Sequence, residues 1–183
     1  EIELLAPYRD QIPERVFTDV FYLPASDGTG INRPALEKAR QMLVEAGWTM
    51  VDGRLQDGQG RPFVMEITTS RTWSRRLLLP YIESLELLGI DASLRLLDTV
   101  LAVRTKRQRK FDLFLRGLDF SSPPMASLQT YFSSASAEQE LGGNLPGIHD
   151  PVVDALIERT QRAPRIETAA IAVRALDRVL LWG

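Results

Sequence analysis

The sequence predicts an α/β fold built on a parallel βαβαβ core, and three features carry that expectation. Apolar and polar residues alternate over 63–69 and again over 90–97, the two-residue period of a half-buried strand. Helical stripes separate these segments, one over 73–88 and one over 99–108. The stretch "KFDLFLRGLDFSSPP", Lys110 to Pro124, then opens as an almost continuous apolar run over 111–116, as a strand buried in a parallel sheet does. Strand, helix, strand, helix, strand in that order argues for parallel neighbours joined by right-handed crossovers.

The elements follow along the chain. Residues 1–32 carry Pro7, Pro13 and Pro24 with Gly28 and Gly30 behind them, which predicts an irregular Pro-rich arm. Residues 33–183 are expected to form the α/β lobe. Asn32 reads as an N-cap with Pro34 in the first turn; Leu36, Ala39, Leu43 and Ala46 form the stripe, and Gly47 ends the helix. "VDGRLQDGQGRPF" holds two Asp-Gly pairs, the signal for a hairpin or reversal. Phe63, Met65 and Ile67 give the first strand its apolar face. In the next helix Leu77 or Leu78, Tyr81, Leu85 and Leu88 make the stripe, Gly89 caps it, and Pro80 predicts a kink or a nearby start. Ile90, Ala92, Leu94 and Leu96 mark the second strand, and Asp98 or Thr99 caps the helix that runs to about Gln108. After the third strand come a Ser/Ala-rich loop with a short helix near Leu128, a Gly-Gly-Asn turn, and two closing helices. Asp150 caps the first of these, with Val153, Leu156 and Ile157 inward; Ile166, Ala170, Val173 and Val179 or Leu180 mark the second.

The chain has 183 residues, 44% of them hydrophobic and 25% charged, ordinary values for a globular domain. A net charge of −2 argues against nucleic acid as a partner. No apolar run reaches membrane-spanning length. The chain starts on Glu1 and stops inside the apolar "RVLLWG", so it is expected to be a piece of a longer protein. The absence of cysteine removes thiolate catalysis, disulfides and thiolate metal sites, and a single histidine makes zinc improbable; no cofactor is expected.

Few motifs carry chemistry. His149, in "GIHDPVVD", has no nucleophile elbow to serve and is expected beside a helix start, partly exposed. "RTKRQRK", Arg104 to Lys110, has five basic residues in seven. It closes a predicted helix, where cations suit the macrodipole, and lacks interleaved aromatics, so it reads as a solvated face. "DGTG" (27–30) and "DGQG" (57–60) lack the Lys-Ser/Thr of a phosphate loop and read as turns. Glu138 and Glu140 sit in a polar loop. What remains is position. In open α/β sheets ligands lie beyond the carboxyl ends of the strands, and three strand ends here empty into small polar loops: "TTSRTW", "LDTV" and "GLDFSSPP".

Taken in order, "ALEKARQMLVEAGW", "DGQGRPFVMEITTS", "YIESLELLGIDASLRLLD", "KFDLFLRG", "GNLPGIHDPVVDALIERTQRA" and "ALDRVLLW" resemble the family 5 extracellular solute-binding proteins. These are the peptide- and nickel-type receptors of ATP-driven importers, and the likeness covers about Asn32 to Trp182. "ELLAPYRDQIPERVF" and "LPYIESLELLGI" look most similar to the subgroup importing oligopeptides and antibiotics of the microcin C type. The resemblance implies a lobe of the type II periplasmic-binding-protein fold, from a two-lobed receptor in the periplasm or on the cell surface. It implies no catalysis, an oligopeptide or peptide-like small molecule as ligand, a membrane permease as partner, and a monomer. A ligand-sensing regulatory module is the alternative.

Many peptide receptors of the family carry Gly-Trp-x-x-Asp after the third strand, where the aspartate clasps the peptide's amino group. Here Gly117 matches the glycine, Leu118 takes the tryptophan's place and Ser121 the aspartate's, while Asp119 lies two residues early. The expected ligand contacts are Arg71 and Trp73 after the first strand, Gly117, Asp119, Ser121 and Ser122 after the third, and Tyr131 and Asn144 beyond. Gly117 would leave room for close backbone approach. For Tyr131, its neighbour Phe132 and Asn144, packing and turn formation stand as the equal reading.

Overall fold

The computed structural model describes residues 1–23, 25, 30–121 and 124–182. Along the chain come α1 (Ile2–Leu5), a 3-10 turn (Ala6–Tyr8), α2 (Arg15–Thr18), α3 (Arg33–Glu45), β1 (Thr49–Val51) and β2 (Arg54–Gln56). Next are β3 (Val64–Thr69), a second 3-10 turn (Thr72–Ser74), α4 (Arg75–Glu86), β4 (Asp91–Leu96), α5 (Thr99–Gln108) and β5 (Leu113–Leu115). The helices α6 (Met125–Phe132), α7 (Ser134–Ala137), α8 (Pro151–Gln161) and α9 (Ile166–Trp182) close the chain. The chain divides into two compact units, one made of Glu1–Leu23 with Leu118–Gly183, the other of Pro24–Gly117.

The Pro24–Gly117 unit holds the predicted sheet. β3 is central, pairing in parallel with β4 on one side and β5 on the other. Ile67 packs with Ile82 and Leu85 of α4 in the unit's core. Its neighbour Thr68 points the other way. There Lys106 of α5 stands 5.8 Å from the ring of Phe114, the register partner of Thr68. α4 and α5 thus cover opposite faces, as two crossovers of one hand running to opposite sides of β3 demand.

The third strand departs from expectation. β5 is shorter than 111–116 and is an outer strand, with Leu113 41% exposed and Phe114 and Leu115 half-buried. Asp112 takes a different part: its carboxylate accepts the Glu66 backbone N–H at 2.8 Å, replacing a ladder bond. The stripe on α4 also shifts. Leu78, Ile82, Leu85 and Leu88 face the core, while Leu77 and Tyr81 are exposed. Pro80 lies inside α4, and the 3-10 turn before it brings the chain into the helix.

Turn chemistry follows the sequence closely. Asp52 and Gly53, both at positive φ (49° and 77°), make the two-residue turn between β1 and β2. The second Asp-Gly pair closes the 57–61 reversal. Asp57 accepts the backbone N–H groups of Gln59 and Arg61, both at 2.9 Å, and the Arg61 guanidinium at 2.7 Å. Asn32 caps α3 by accepting from Ala35 N at 3.1 Å. Of the other loop, "DGTG", only Gly30 is among the described residues.

In the other unit α8 and α9 pack together, and Val152, Val153, Leu156 and Ile157 meet Ala175, Leu176 and Val179. The buried stripe of α9 is Ala169, Ala172, Leu176 and Val179, one residue away from the expected Ala170 and Val173, and Ile166 is exposed. The segment "IETAAIAVRALDRVLLW" is apolar on several faces, so its phase was ambiguous; its alanines form the face that packs tightly.

Residues 1–23 are not the irregular arm predicted. Leu5, Ile12 and Val16 are buried in this same core. Pro7 sits in the first turn of a short helix, where no N–H is needed. Arg178 of α9 ties the segment down, donating to Val16 O at 2.8 Å and Asp19 O at 2.7 Å. Pro24 and Gly28 lie outside the described residues.

Two outcomes follow. Arg178→Ala should lower stability by about 1.5–3 kcal/mol, the scale of charge-assisted hydrogen bonds lost from a half-buried site, measured by urea unfolding with unchanged m-value. Asp57 should titrate below the ordinary 3.8, held down first by the Arg61 backbone N–H and then by the Arg61 side chain. A depressed value means its contribution to stability is present above 3.8 and is lost as pH falls through the lowered value. Arg61→Ala should raise the Asp57 value part of the way, as read by carboxyl NMR titration.

Candidate functional site

Parallel pairing puts the carboxyl ends of all three strands on one edge. Thr69 is the register partner of both Leu96 and Leu115. The loop after β3 is fixed by buried hydroxyls. Thr69 Oγ1 accepts the Arg71 N–H at 3.1 Å, and the fully buried Ser74 donates its hydroxyl to Arg71 O at 2.7 Å. Arg71 is therefore held on both sides of its own Cα, and its side chain is exposed. The guanidinium lies 6.0 Å from the ring of Trp73, itself 54% exposed. Gly117 closes this unit at the end of β5, and the Arg71 guanidinium rests beside it. Asp98, in the middle loop, is occupied: it caps α5 through Leu101 N at 2.8 Å.

In the other unit, Asp119 is anchored by its backbone. The Tyr131 hydroxyl accepts the Asp119 N–H at 3.3 Å and lies 3.2 Å from the Asp119 carbonyl oxygen. Phe120 packs on Tyr131 edge to face at 5.6 Å and on Phe132 at 6.4 Å. The Asp119 side chain is exposed, with no hydrogen bond or ion pair to its carboxylate among the described residues. Ser121 is held by Ser127, whose Oγ accepts the Ser121 N–H at 3.0 Å. Ser122 and Pro123 lie outside the described residues.

Asn144 is a different kind of residue. It is fully buried, and all its side-chain hydrogen-bonding groups are engaged. Nδ2 donates to Ser133 O and Ile148 O, both at 2.9 Å, while Oδ1 accepts from Gly147 N at 3.1 Å and Ile148 N at 3.0 Å. Turn formation is its work, and nothing is left over for a ligand. The glycines before it have a steric cause: a Cβ on Gly142 would overlap Ser136 O, and one on Gly143 would sit 2.7 Å from Thr130 Cγ2.

The motifs set aside earlier sit as solvated features. His149 is half exposed, its Nε2 3.1 Å from Glu138 Oε1, beside the start of α8 that Asp150 caps. The basic residues of 104–110 lie on α5 and the turn after it, with Arg104 and Arg107 exposed. Among the described residues no three acid or histidine side chains are grouped to hold a metal ion, and no helix is long and apolar enough to cross a membrane. Surface hollows of about 390 and 570 Å³ run along α3 and α4, and an apolar one of about 380 Å³ lies between α4 and β4. Sequence reasoning missed Ser74 and Ser127, which position the exposed residues. The available signal was Thr68-Thr69 at the carboxyl end of an alternating strand, where hydroxyls are buried and must find partners.

Residues 8–139 match the family described as bacterial extracellular solute-binding proteins, family 5 Middle. The chain is 32% identical over 182 residues to a probable peptide-binding protein YejA of Agrobacterium fabrum, covering 99% of this chain and 30% of that protein. It is 30% identical to the peptidoglycan-binding protein YepA of the same organism, covering all of this chain and 30% of that one. The chain thus spans about 30% of the length of the curated relatives it matches. A periplasmic oligopeptide-binding protein of Thermotoga maritima, solved with mannohexaose, has a TM-score of 0.73 at 22% identity over 96% of this chain and 32% of that one. The oligopeptide-binding protein AppA of Bacillus subtilis, solved with a nonapeptide, gives 0.67 at 21% identity over 94% and 37%. These likenesses show the fold to be that of type II periplasmic-binding proteins. The chain belongs to the bacterial extracellular solute-binding proteins, family 5.

Proposed function

We propose that this chain is part of the substrate-binding component of an ABC importer, a receptor that takes oligopeptides or peptide-like solutes outside the cytoplasmic membrane. The peptide-binding name of one relative and the nonapeptide in a structural neighbour support that ligand class. The receptor is monomeric, does no chemistry on its ligand and works with a membrane permease. Its function is differential binding: ligand stabilises a closed two-lobed state, and the permease recognises that state. The residues proposed to meet ligand are Arg71, Trp73 and Gly117 in one unit, and Asp119, Ser121, Ser122 and Tyr131 in the other. Asn144 is left out because its polar atoms are already used.

One observation carries the peptide assignment furthest. The Asp119 backbone is held by Tyr131 while its carboxylate projects without a protein partner among the described residues. An anchored carboxylate is suited to the α-amino group of a peptide, despite standing two residues ahead of the usual register. Ser121, at the usual position, carries no charge and is bonded to Ser127.

In the full-length protein, Asp119→Asn should weaken binding of a free-amine peptide by about ten- to a hundredfold, the value of a charge-assisted hydrogen bond. Binding of the N-acetylated peptide should change little, and the melting temperature should hold. Calorimetry with both peptides decides the matter. Equal losses for both, or a large drop in melting temperature, would make Asp119 structural.

A further inference from the structure

The net charge of −2 hides a division. Residues 24–117 carry 15 basic and 11 acidic side chains, and the other residues carry 7 and 13. The positive excess gathers on α5 and the turn after it. Residues 99–110 hold Arg104, Lys106, Arg107, Arg109 and Lys110, and no Asp or Glu. The acids that flank this stretch are engaged with backbone: Asp98 accepts the Leu101 N–H, and Asp112 accepts that of Glu66. Elsewhere arginines such as Arg9, Arg61 and Arg162 stand 2.6–2.7 Å from a carboxylate. Among the described residues, no hydrogen bond or ion pair engages the side chains of Arg104, Arg107 or Lys110.

The outward row of α5 is not purely basic. Ala102 and Thr105 are buried, and Lys106 stands near the Phe114 ring on the sheet. The row opposite them is Val100, Val103, Arg104 and Arg107, spaced as one helix face. Val100 is 82% exposed and Val103 42%. β-Branched residues are poor helix formers, and at exposed positions these two bury little in return. The macrodipole favours cations in the last turn of α5, but it accounts neither for the valines nor for Arg104, a turn earlier. Apolar side chains and long cations along one exposed face are what a surface helix sets into the headgroup layer of an anionic bilayer.

We propose that the outward face of α5, from Val100 to Lys110, is a docking surface for an anionic phospholipid bilayer. Each Arg or Lys that reaches the lipid phosphates adds roughly fivefold to the partition constant. Val100 and Val103 enter the interface beside them. Charge complementarity selects an anion, and the form of the patch selects a lipid surface over an acidic protein. A single convex helix row has no groove to fix a partner's side chains, and long side chains without protein partners suit a diffuse layer of phosphates. The choice of lipid also draws on the importer reading, which sets the receptor beside the bilayer of its permease. Between parallel β4 and β5, α5 runs back from the carboxyl edge of the sheet, so its cation-rich end points to the amino edge. Contact there leaves the strand ends bearing Arg71 and Gly117 open to ligand.

The test co-sediments the full-length protein with vesicles of phosphatidylcholine alone, and of phosphatidylcholine with one-third phosphatidylglycerol. At low salt the anionic vesicles should bind about tenfold or more tightly than the neutral ones. The preference should collapse as the Debye length shrinks from about 30 Å to about 8 Å. Replacing three cations together, Arg104→Gln, Arg107→Gln and Lys110→Gln, should remove most of the preference. Peptide affinity and melting temperature should stay unchanged in that variant. Val100→Ser should weaken binding to anionic vesicles by about two- to fivefold at every salt concentration, because apolar burial is not screened. Equal binding to both kinds of vesicle, or a triple variant that keeps the preference, overturns the lipid surface. So does capture of soluble polyglutamate without binding to anionic vesicles, which gives the patch to an acidic protein. Loss of peptide binding with vesicle binding intact overturns the importer reading and leaves the lipid surface standing.

Discussion

The parallel pairing of β3 with strands on both sides is the constraint from which the candidate site follows. A parallel neighbour can be reached only by a crossover, so each pairing commits a helix to one face of the sheet. With β4 and β5 on opposite sides, α4 and α5 fall on opposite faces, and all three strands point the same way. Every loop leaving a strand then emerges on one edge. Thr69 shares its register with Leu96 and Leu115, so the loop bearing Arg71 and the strand end bearing Gly117 are brought side by side by the ladder, before any side chain acts.

Both units treat their exposed charges alike. Short polar side chains are spent on the backbone, and a longer charged one is left over. Thr69 and Ser74 hold the peptide groups of Arg71. Tyr131 holds those of Asp119. Asn144 carries the practice to its limit, with four bonds to the backbone around it and no free side-chain atom. Such anchoring removes entropy from the loop in advance, so less is lost when a partner arrives. It also separates two groups that look alike in sequence: polar residues that build the loop, and polar residues that the loop presents.

Periodicity located the strands and helices of the Pro24–Gly117 unit, since alternation over 63–69 and 90–97 has one reading. The Asp-Gly turns and the Asn32, Asp98 and Asp150 caps were legible because each needs only its own neighbours. Errors arose where tertiary contact decides. The apolar run at 111–116 suggested burial on every side, yet Leu113 faces out and Asp112 replaces a ladder bond. The phase of α9 was lost among too many apolar residues. The N-terminal segment looked irregular because its prolines are conspicuous, while Leu5, Ile12 and Val16 are buried by a helix far along the chain. At Gly117 the sequence suggested room for close backbone approach, and the structure puts the Arg71 guanidinium in that room. Only three dimensions show that the space beside it belongs to Arg71. For Asn144 contact and turn formation stood as equal readings, and no pattern announces the four hydrogen bonds to Ser133, Gly147 and Ile148 that engage its side chain.

The unit formed by Glu1–Leu23 and Leu118–Gly183 is interrupted by the whole of the other unit, and this sets an order of assembly during translation. The inserted unit has all its residues once Gly117 has been made. Val16 must wait for Arg178, 162 residues later. At ordinary elongation rates that interval is roughly 10–30 s. For that time Leu5, Ile12 and Val16 lack the core they enter in the folded unit. This unit thus carries a built-in window for chaperone capture, one that closes when α9 emerges and Arg178 reaches Val16 and Asp19.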